Sequence, residues 1–375
     1  MRSDPTPLAE ILAEQIKSRG RITFAEYMEA CLYHPQHGYY TKADQSERRD
    51  YITNVDVTPV FSRLLARQFH EMWTVLGRPQ PFALVEAGAG TGRLAKQVLD
   101  CASESLGEFY EAIRYVAVER SAVRRVAQAK TLEDHIAIGR FCSCDELPVE
   151  ISNGCIFSNE LFDAFAVHRV QRANEELREV YVTLPRDTFC EELGPLSSIA
   201  IAEYFDSQGI TLREGQMAEV NIAACNWIED AARRLNRGFV LTIDYGHEAQ
   251  QLYDERHMRG TLLAYDRHRT GEDFYRASGA QDLTAHVNFT ALDLWGCRAG
   301  LTRGGFTSQT NFLLALARDS NFADLESTGA TEHDKISARS QFKTLIHPEG
   351  MGETFKILVQ QTGIAPVHLA GFEPL

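Results

Sequence analysis

The sequence predicts an α/β fold: a doubly wound, mostly parallel sheet preceded by a helical leader and interrupted by inserted α/β segments. Three observations predict it. From Phe82 onward short apolar segments alternate with helical ones, the pattern of a parallel sheet covered on both faces. The first of those segments runs straight into a glycine turn, Gly88-Ala-Gly-Thr-Gly92, that opens a helix. The 375 residues exceed one average domain, yet a single sheet with insertions absorbs them.

In chain order, Leu8, Ile11, Leu12 and Ile16 follow helical spacing up to Gly20, a favoured residue just past a helix end. Thr23 and Glu26 form a capping box that starts a second helix near Phe24, which ends before the turn-forming stretch His34 to Gly38. Thr58-Pro59 is a cap and first-turn signal, and Val60, Phe61, Leu64, Leu65, Phe69 and Met72 supply an apolar face up to Gly77. This leader is expected to cover the sheet. Parallel strands are expected at Phe82–Glu86, Arg114–Glu119, Ile136–Phe141, Gly154–Ser158 and Gly238–Ile243. Within a long insertion, Val167–Gln171 and Glu179–Leu184 read as an antiparallel pair, and Gly305–Thr310 with Phe355–Gln361 as a final antiparallel pair closing the sheet. The polar, turn-rich stretch from Asp244 to about His286 is longer than a simple connection and reads as a lid. The division that follows is a leader over 1–78, a first core half over 79–163, an insertion over 164–236 and a second core half over 237–375, with the lid at 245–290.

Composition narrows the function. Hydrophobic residues make up 44% and charged ones 24%, and no apolar run reaches the ~18 residues needed to span a bilayer, so membrane insertion is not expected. The net charge of −14 disfavours nucleic acid as a partner and suits a cationic or basic-protein substrate. Met1 to Glu10 lacks the basic segment and apolar core of a secretory signal and does not resemble a transit peptide, which predicts a cytoplasmic location. The eight cysteines are scattered; Cys142 and Cys144 are separated by one residue where zinc and redox motifs use two, so reduced, mostly buried thiols are expected. His34 and His37 lack a third ligand nearby and read as a structural pair, and no metal is expected.

The glycine turn carries the chemistry. It lies where ligands bind in an open doubly wound sheet, beyond the carboxyl ends of the strands. A dinucleotide fingerprint requires a third glycine three residues after the second, but that position is Arg93. The spacing Gly88, Gly90, Gly92 brings bare backbone against a ligand without phosphates, such as the amino-acid part and sulfonium of S-adenosylmethionine. Glu86 is placed to take that ligand's ammonium, and Glu119, ending the next strand, to accept both ribose hydroxyls. A merely structural turn and a solvated strand-end glutamate are the bland alternatives. After the fourth strand, Ser158-Asn-Glu-Leu-Phe-Asp163 is polar where group transfer belongs: Asn159 and Glu160 are candidates for fixing a substrate nitrogen, and Asp163 is either a second catalytic acid or a helix N-terminal acid. Asp244, Tyr245 and Gly246 are placed to line the pocket. The expected architecture is then the Rossmann-like, seven-stranded sheet of class I methyltransferases.

The residues also resemble the MidA family of protein arginine methyltransferases, which includes the mitochondrial complex I assembly methyltransferase. The matching segments are Ala25-Glu-Tyr-Met, His34-Pro, Gly38-Tyr-Tyr-Thr41, Asp50-Tyr-Ile-Thr53, the glycine turn, Val118-Glu-Arg-Ser121, Asn159-Glu-Leu-Phe-Asp163, Ile243-Asp-Tyr-Gly246, Gln281-Asp-Leu-Thr-Ala-His-Val-Asn-Phe-Thr290 and Pro348-Glu-Gly-Met-Gly-Glu-Thr-Phe-Lys356. They span nearly the whole chain. The resemblance implies methyl transfer from S-adenosylmethionine to an arginine of a protein, with Thr53 of the leader motif added to the cofactor residues. By analogy with mitochondrial members, it implies a respiratory complex I subunit as target; a homodimer is left open. Departures fall at Ala89 and Thr91, where the family has Pro and Arg, at Val55-Asp56 in place of Pro-Glu, and at Phe165-Ala166 in place of Leu-Pro. The first pair is compatible with cofactor binding, whereas the other two border the substrate. Alternative readings are a cofactor-binding assembly factor without turnover, a small-molecule methyltransferase, and an NAD-dependent oxidoreductase, which Arg93 counts against. The long insertion and the lid favour a large substrate over a small one.

Overall fold

A computed structural model of the chain describes residues 6–42, 58–266, 269–325 and 331–374. The chain divides into two compact units, each gathered from separated segments: Met1–Tyr51, Phe162–Trp227 and Gly246–Leu292 in one, Ile52–Leu161, Ile228–Tyr245 and Asp293–Leu375 in the other. Each has its own apolar core.

The second of these is built on a large sheet. Its strands are β1 (Phe82–Ala87), β2 (Ile113–Val118), β3 (Phe141–Cys144), β4 (Gly154–Asn159), β5 (Gly238–His247), β6 (Thr302–Ser308) and β7 (Phe355–Thr362). They lie in the order β3-β2-β1-β4-β5-β7-β6. The first five are parallel, and β7 runs antiparallel to both β5 and β6. Strands β1 and β4 are nearly continuous apolar runs because helices cover both faces, so alternation has no solvent side to mark. The order reverses between β1 and β4, and the crevice at their carboxyl ends is the switch point where such sheets bind ligands.

Along this path the seven expected strands are present, with a departure at the edge. The apolar alternation around Ile136 belongs to a short helix, Glu133–Ala137, and β3 starts only after the Gly139 turn. Ile136 and Ile138 are 40% and 58% exposed, so their spacing reports a solvent face. Strand β3, with polar Cys142, Ser143 and Cys144, carries no apolar signal because it is an edge. The helix Pro59–Val75 forms as its cap predicts: the Thr58 side chain accepts from Val60 N–H, and Ser62 Oγ donates to Gln97 Oε1 at 2.6 Å in the helix that follows the glycine turn.

The other unit holds the leading helices, Pro7–Arg19 and Phe24–Tyr33, with the Thr6 cap, the Gly20 stop and the Thr23/Glu26 capping box all formed. The antiparallel pair expected in the insertion is present as His168–Ala173 against Glu176–Thr183, within a five-stranded sheet. Within the stretch expected to form a lid, Leu263–Asp266, Arg269–Gly271 and Asp282–Thr284 make a small antiparallel sheet. Its strands are only three or four residues long, too short for periodicity to show. All eight cysteines are free, but only Cys31, Cys155 and Cys225 are buried, fewer than expected. His34 and His37 stack at 5.3 Å, and among the described residues no group of three His, Cys, Asp or Glu is arranged to hold a metal ion. No described helix is long and apolar enough to cross a membrane.

Strands β1, β4 and β5 start in register at Ala83, Gly154 and Gly238. A Cβ on Gly154 would fall 2.1 Å from the Ala83 carbonyl oxygen. Gly154→Ala is therefore expected to destabilise the fold by about 1–3 kcal/mol through overpacking, read as a lowered Tm in thermal unfolding. An unchanged Tm would show that the strand starts can separate without cost.

Candidate active site

The glycine turn connects β1 to the helix Arg93–Ser105. Gly88, Gly90 and Gly92 all take positive φ, at +74°, +54° and +81°, a conformation that side chains resist. The turn is anchored on both sides. Gly88 N–H and Ala89 N–H donate to the Val118 carbonyl at 2.9 and 3.2 Å, tying it to the end of β2. A Cβ on Gly88 would come within 2.9 Å of Leu161 Cδ1, so that glycine also makes room for the segment after β4. Around Gly90 nothing would obstruct a Cβ, which leaves bare backbone open to a ligand. Arg93, at the place of a third dinucleotide glycine, begins the helix.

Glu119 stands next to the turn at the end of β2 and is 7% exposed. Its Oε2 accepts from Gly90 N–H at 2.9 Å and its Oε1 from Ser121 N–H at 2.8 Å, with Arg124 Nη1 at 3.8 Å. Glu86, one strand away, is turned into the sheet: it is 4% exposed and accepts from the Tyr115 hydroxyl at 2.6 Å. Burial pushes its carboxyl up to about 8, against the lowering effect of the Tyr115 hydrogen bond and with a smaller push from the charge of Glu119. Tyr115 is the partner that sequence reasoning missed; a tyrosine in an apolar strand carries no mark of which neighbour its hydroxyl meets.

Beyond β4 the chain changes direction at Glu160, a non-glycine residue at φ +55°. Such strain persists where the surroundings overdetermine it, and it gathers at functional positions. Two bonds from β5 hold it: Glu160 N–H donates to the Ile243 carbonyl at 3.0 Å, and Leu161 N–H to Asp244 Oδ2 at 3.1 Å. Asp244 is fully buried and its other oxygen accepts from Tyr245 N–H, so this acid works on backbone. Asn159 Nδ2 donates to Glu160 Oε1 at 3.0 Å, and both side chains are half-buried.

The structure thus brings Glu86, the three glycines, Glu119, Asn159 and Glu160 into one unit at the switch point. Asp163 belongs to the other unit, buried at 1% exposure in the 3-10 turn Phe162–Ala164. That turn is three residues long, so the alternative reading of Asp163 as an acid on a helix macrodipole has no α-helix to act on. Thr53 lies outside the described residues.

Comparison with known proteins bears on this arrangement. Residues 64–307 match the model of a family described as S-adenosyl-L-methionine-dependent methyltransferases. The chain is 27% identical to the mitochondrial "Protein arginine methyltransferase NDUFAF7 homolog" of Drosophila melanogaster, over 96% of this chain and 86% of that protein. It is 28% identical to the human mitochondrial "Protein arginine methyltransferase NDUFAF7", over 93% of this chain and 82% of that one. A crystal structure from Burkholderia thailandensis with S-adenosyl-homocysteine bound superposes with a TM-score of 0.86 at 30% identity, covering 99% of this chain and 97% of that one. These relatives correct one expectation: the fly and human proteins are named mitochondrial, against the cytoplasmic location drawn from the N-terminal composition.

The buried Glu86 has a measurable consequence. Its folded-state pKa of about 8 lies above its ordinary value of 4.5, so between those values the folded state holds the extra proton. The stability it contributes is present at low pH and declines as pH rises from about 4.5 to about 8. Thermal unfolding across that range, without added cofactor, is expected to show Glu86→Gln losing less Tm than the parent. Parallel curves would mean that Glu86 is charged in the fold.

Proposed function

Because this chain belongs to the family of S-adenosyl-L-methionine-dependent methyltransferases, we propose that it transfers the methyl group to an arginine guanidinium of a protein, with Glu160 as the residue that engages the acceptor. The observation that carries the reading is the strained Glu160 beside the glycine turn, its carboxylate oriented by Asn159. The fly and human relatives, named protein arginine methyltransferases and aligned over nearly the whole chain, support arginine as the acceptor.

The cradle suits S-adenosylmethionine, since glycines leave backbone open at Gly90 and the carboxylate of Glu119 stands at the strand end where ribose hydroxyls would be held. When bound, the cofactor supplies an electrophilic methyl on a sulfonium. What the chain must supply is a usable nucleophile, because a guanidinium with a pKa above 12 is a poor one. A carboxylate hydrogen-bonded to the guanidinium concentrates electron density on the attacking nitrogen and holds it in line. Glu160 takes that role. Most of the acceleration then comes from alignment and a preorganised charge, and the proton leaves during or after transfer. No covalent enzyme intermediate is needed. By family analogy the target is a respiratory complex I subunit.

Two measurements check the assignment. Glu119→Ala is expected to weaken binding of S-adenosyl-homocysteine roughly 10- to 100-fold in calorimetry, the loss of a charged hydrogen-bond acceptor of about 1.5–3 kcal/mol; unchanged affinity would remove Glu119 from the cofactor site. Glu160→Gln is expected to keep that affinity and to abolish transfer of labelled methyl into protein in a lysate lacking the endogenous enzyme. Label appearing in a small molecule, or full turnover by the variant, would overturn the reading, and mass spectrometry of the labelled protein identifies target and residue.

A further inference from the structure

The middle glycine of the turn is held at both ends of its backbone by side chains. Its N–H donates to Glu119 Oε2 at 2.9 Å, and its carbonyl accepts from Gln128 Nε2 at 2.8 Å. Gln128 lies in the helix Ala122–Thr131, which follows β2, and is completely buried. Its amide orientation is settled by chemistry, since a carbonyl oxygen can only be met by the NH2 group. A Cβ on Gly92 would sit 3.0 Å from Gln128 Cγ and 2.8 Å from Leu132 Cδ1, so the side chain also forms the seat under the last glycine. The same helix is tied to Glu119 at its start, where Ser121 N–H donates to Oε1 at 2.8 Å.

We propose that Gln128 is a positioning residue for the cofactor: it clamps the Gly90 carbonyl from beneath, fixes the φ +54° peptide that the cofactor meets, and so sets cofactor affinity without touching the ligand. The inference rests on the reading of the glycine turn as the cofactor site. Its physical basis is the freedom of glycine. A Gly90 peptide held at N–H alone could rotate its carbonyl, because glycine populates both signs of φ with little cost. Closing the second end removes that freedom before the ligand arrives, and preorganisation is worth affinity because the ordering cost is already met. The other end of the amide, Oε1, is buried and has no hydrogen-bond partner among the described residues. Replacing Gln128 by leucine therefore removes an unsatisfied buried acceptor together with one good bond, two effects of opposite sign on overall stability. The Gly90 carbonyl, in contrast, loses this restraint outright. Sequence reading offered no signal for this residue, because a glutamine in an amphipathic helix reads as a solvated position.

The test compares Gln128→Leu, Gln128→Glu and Glu119→Ala with the parent in steady-state methyl transfer, with S-adenosyl-homocysteine calorimetry and Tm alongside. Gln128→Leu is expected to raise KM for S-adenosylmethionine and Kd for S-adenosyl-homocysteine about tenfold. Its kcat at saturating cofactor and its KM for the protein acceptor should stay within about twofold of the parent, and its Tm close to it. Gln128→Glu sets a carboxylate against the Gly90 carbonyl, two acceptors face to face, and is expected to lose more affinity than leucine. If both Gln128 variants keep the parent's cofactor KM and Kd while Glu119→Ala weakens them, the turn is the site and the clamp is overturned. If Glu119→Ala and both Gln128 variants leave cofactor binding unchanged, the turn is not the site and both readings fall. A loss of kcat and Tm with KM unchanged would show Gln128 to be merely structural and would also overturn the proposal.

Discussion

Everything at the switch point depends on one constraint: three glycines within five residues must hold positive φ at the end of β1, and the surrounding chain must keep them there. Isolated, such a turn would be a loose hinge, since glycine gives up more conformational freedom on folding than any other residue. The fold supplies the restraint from the two strands that flank β1. The end of β2 receives Gly88 and Ala89 through the Val118 carbonyl, the strand-end Glu119 takes the Gly90 N–H, and Leu161 packs where Gly88 lacks a side chain. Two of these contacts come from the end of β2 and the third from the segment after β4, so both strands must flank β1 in the order observed.

Leu161 joins the turn to the strained residue beside it. The Asp244 carboxylate fixes the Leu161 N–H, the Ile243 carbonyl fixes Glu160, and the left-handed conformation of Glu160 follows. A displacement of β5 would therefore reach Glu160 through backbone bonds and the glycine turn through Leu161. Asp244, read from the sequence as a pocket-lining acid, serves this geometry with hydrogen bonds to two backbone N–H groups from complete burial.

The three glutamates at the strand ends show how environment divides identical side chains. Glu86 is sealed in the sheet against Tyr115 and drawn toward its neutral form by burial. Glu119 is compensated by two backbone N–H groups, one on each carboxylate oxygen. Glu160 is half-buried and accepts a hydrogen bond from the Asn159 amide. Composition alone treats them as three acids in an acidic chain.

What the sequence by itself determined was local: the capped helices at Thr6, Thr23 and Thr58, the apolar parallel strands, and a glycine spacing that separates a sulfonium ligand from a dinucleotide. Those features are governed by backbone preferences within a few residues, so they can be read in a window of that size. Only the tertiary structure decided the partners. Tyr115 on Glu86, Gln128 on Gly90 and Asp244 on Leu161 join residues 29, 38 and 83 positions apart. The edge strand at Phe141 and the gathering of each unit from separated segments are of the same kind. A buried polar group must find a partner somewhere, but which one it finds is set by strand order and helix packing, and neither leaves a periodic mark on the chain.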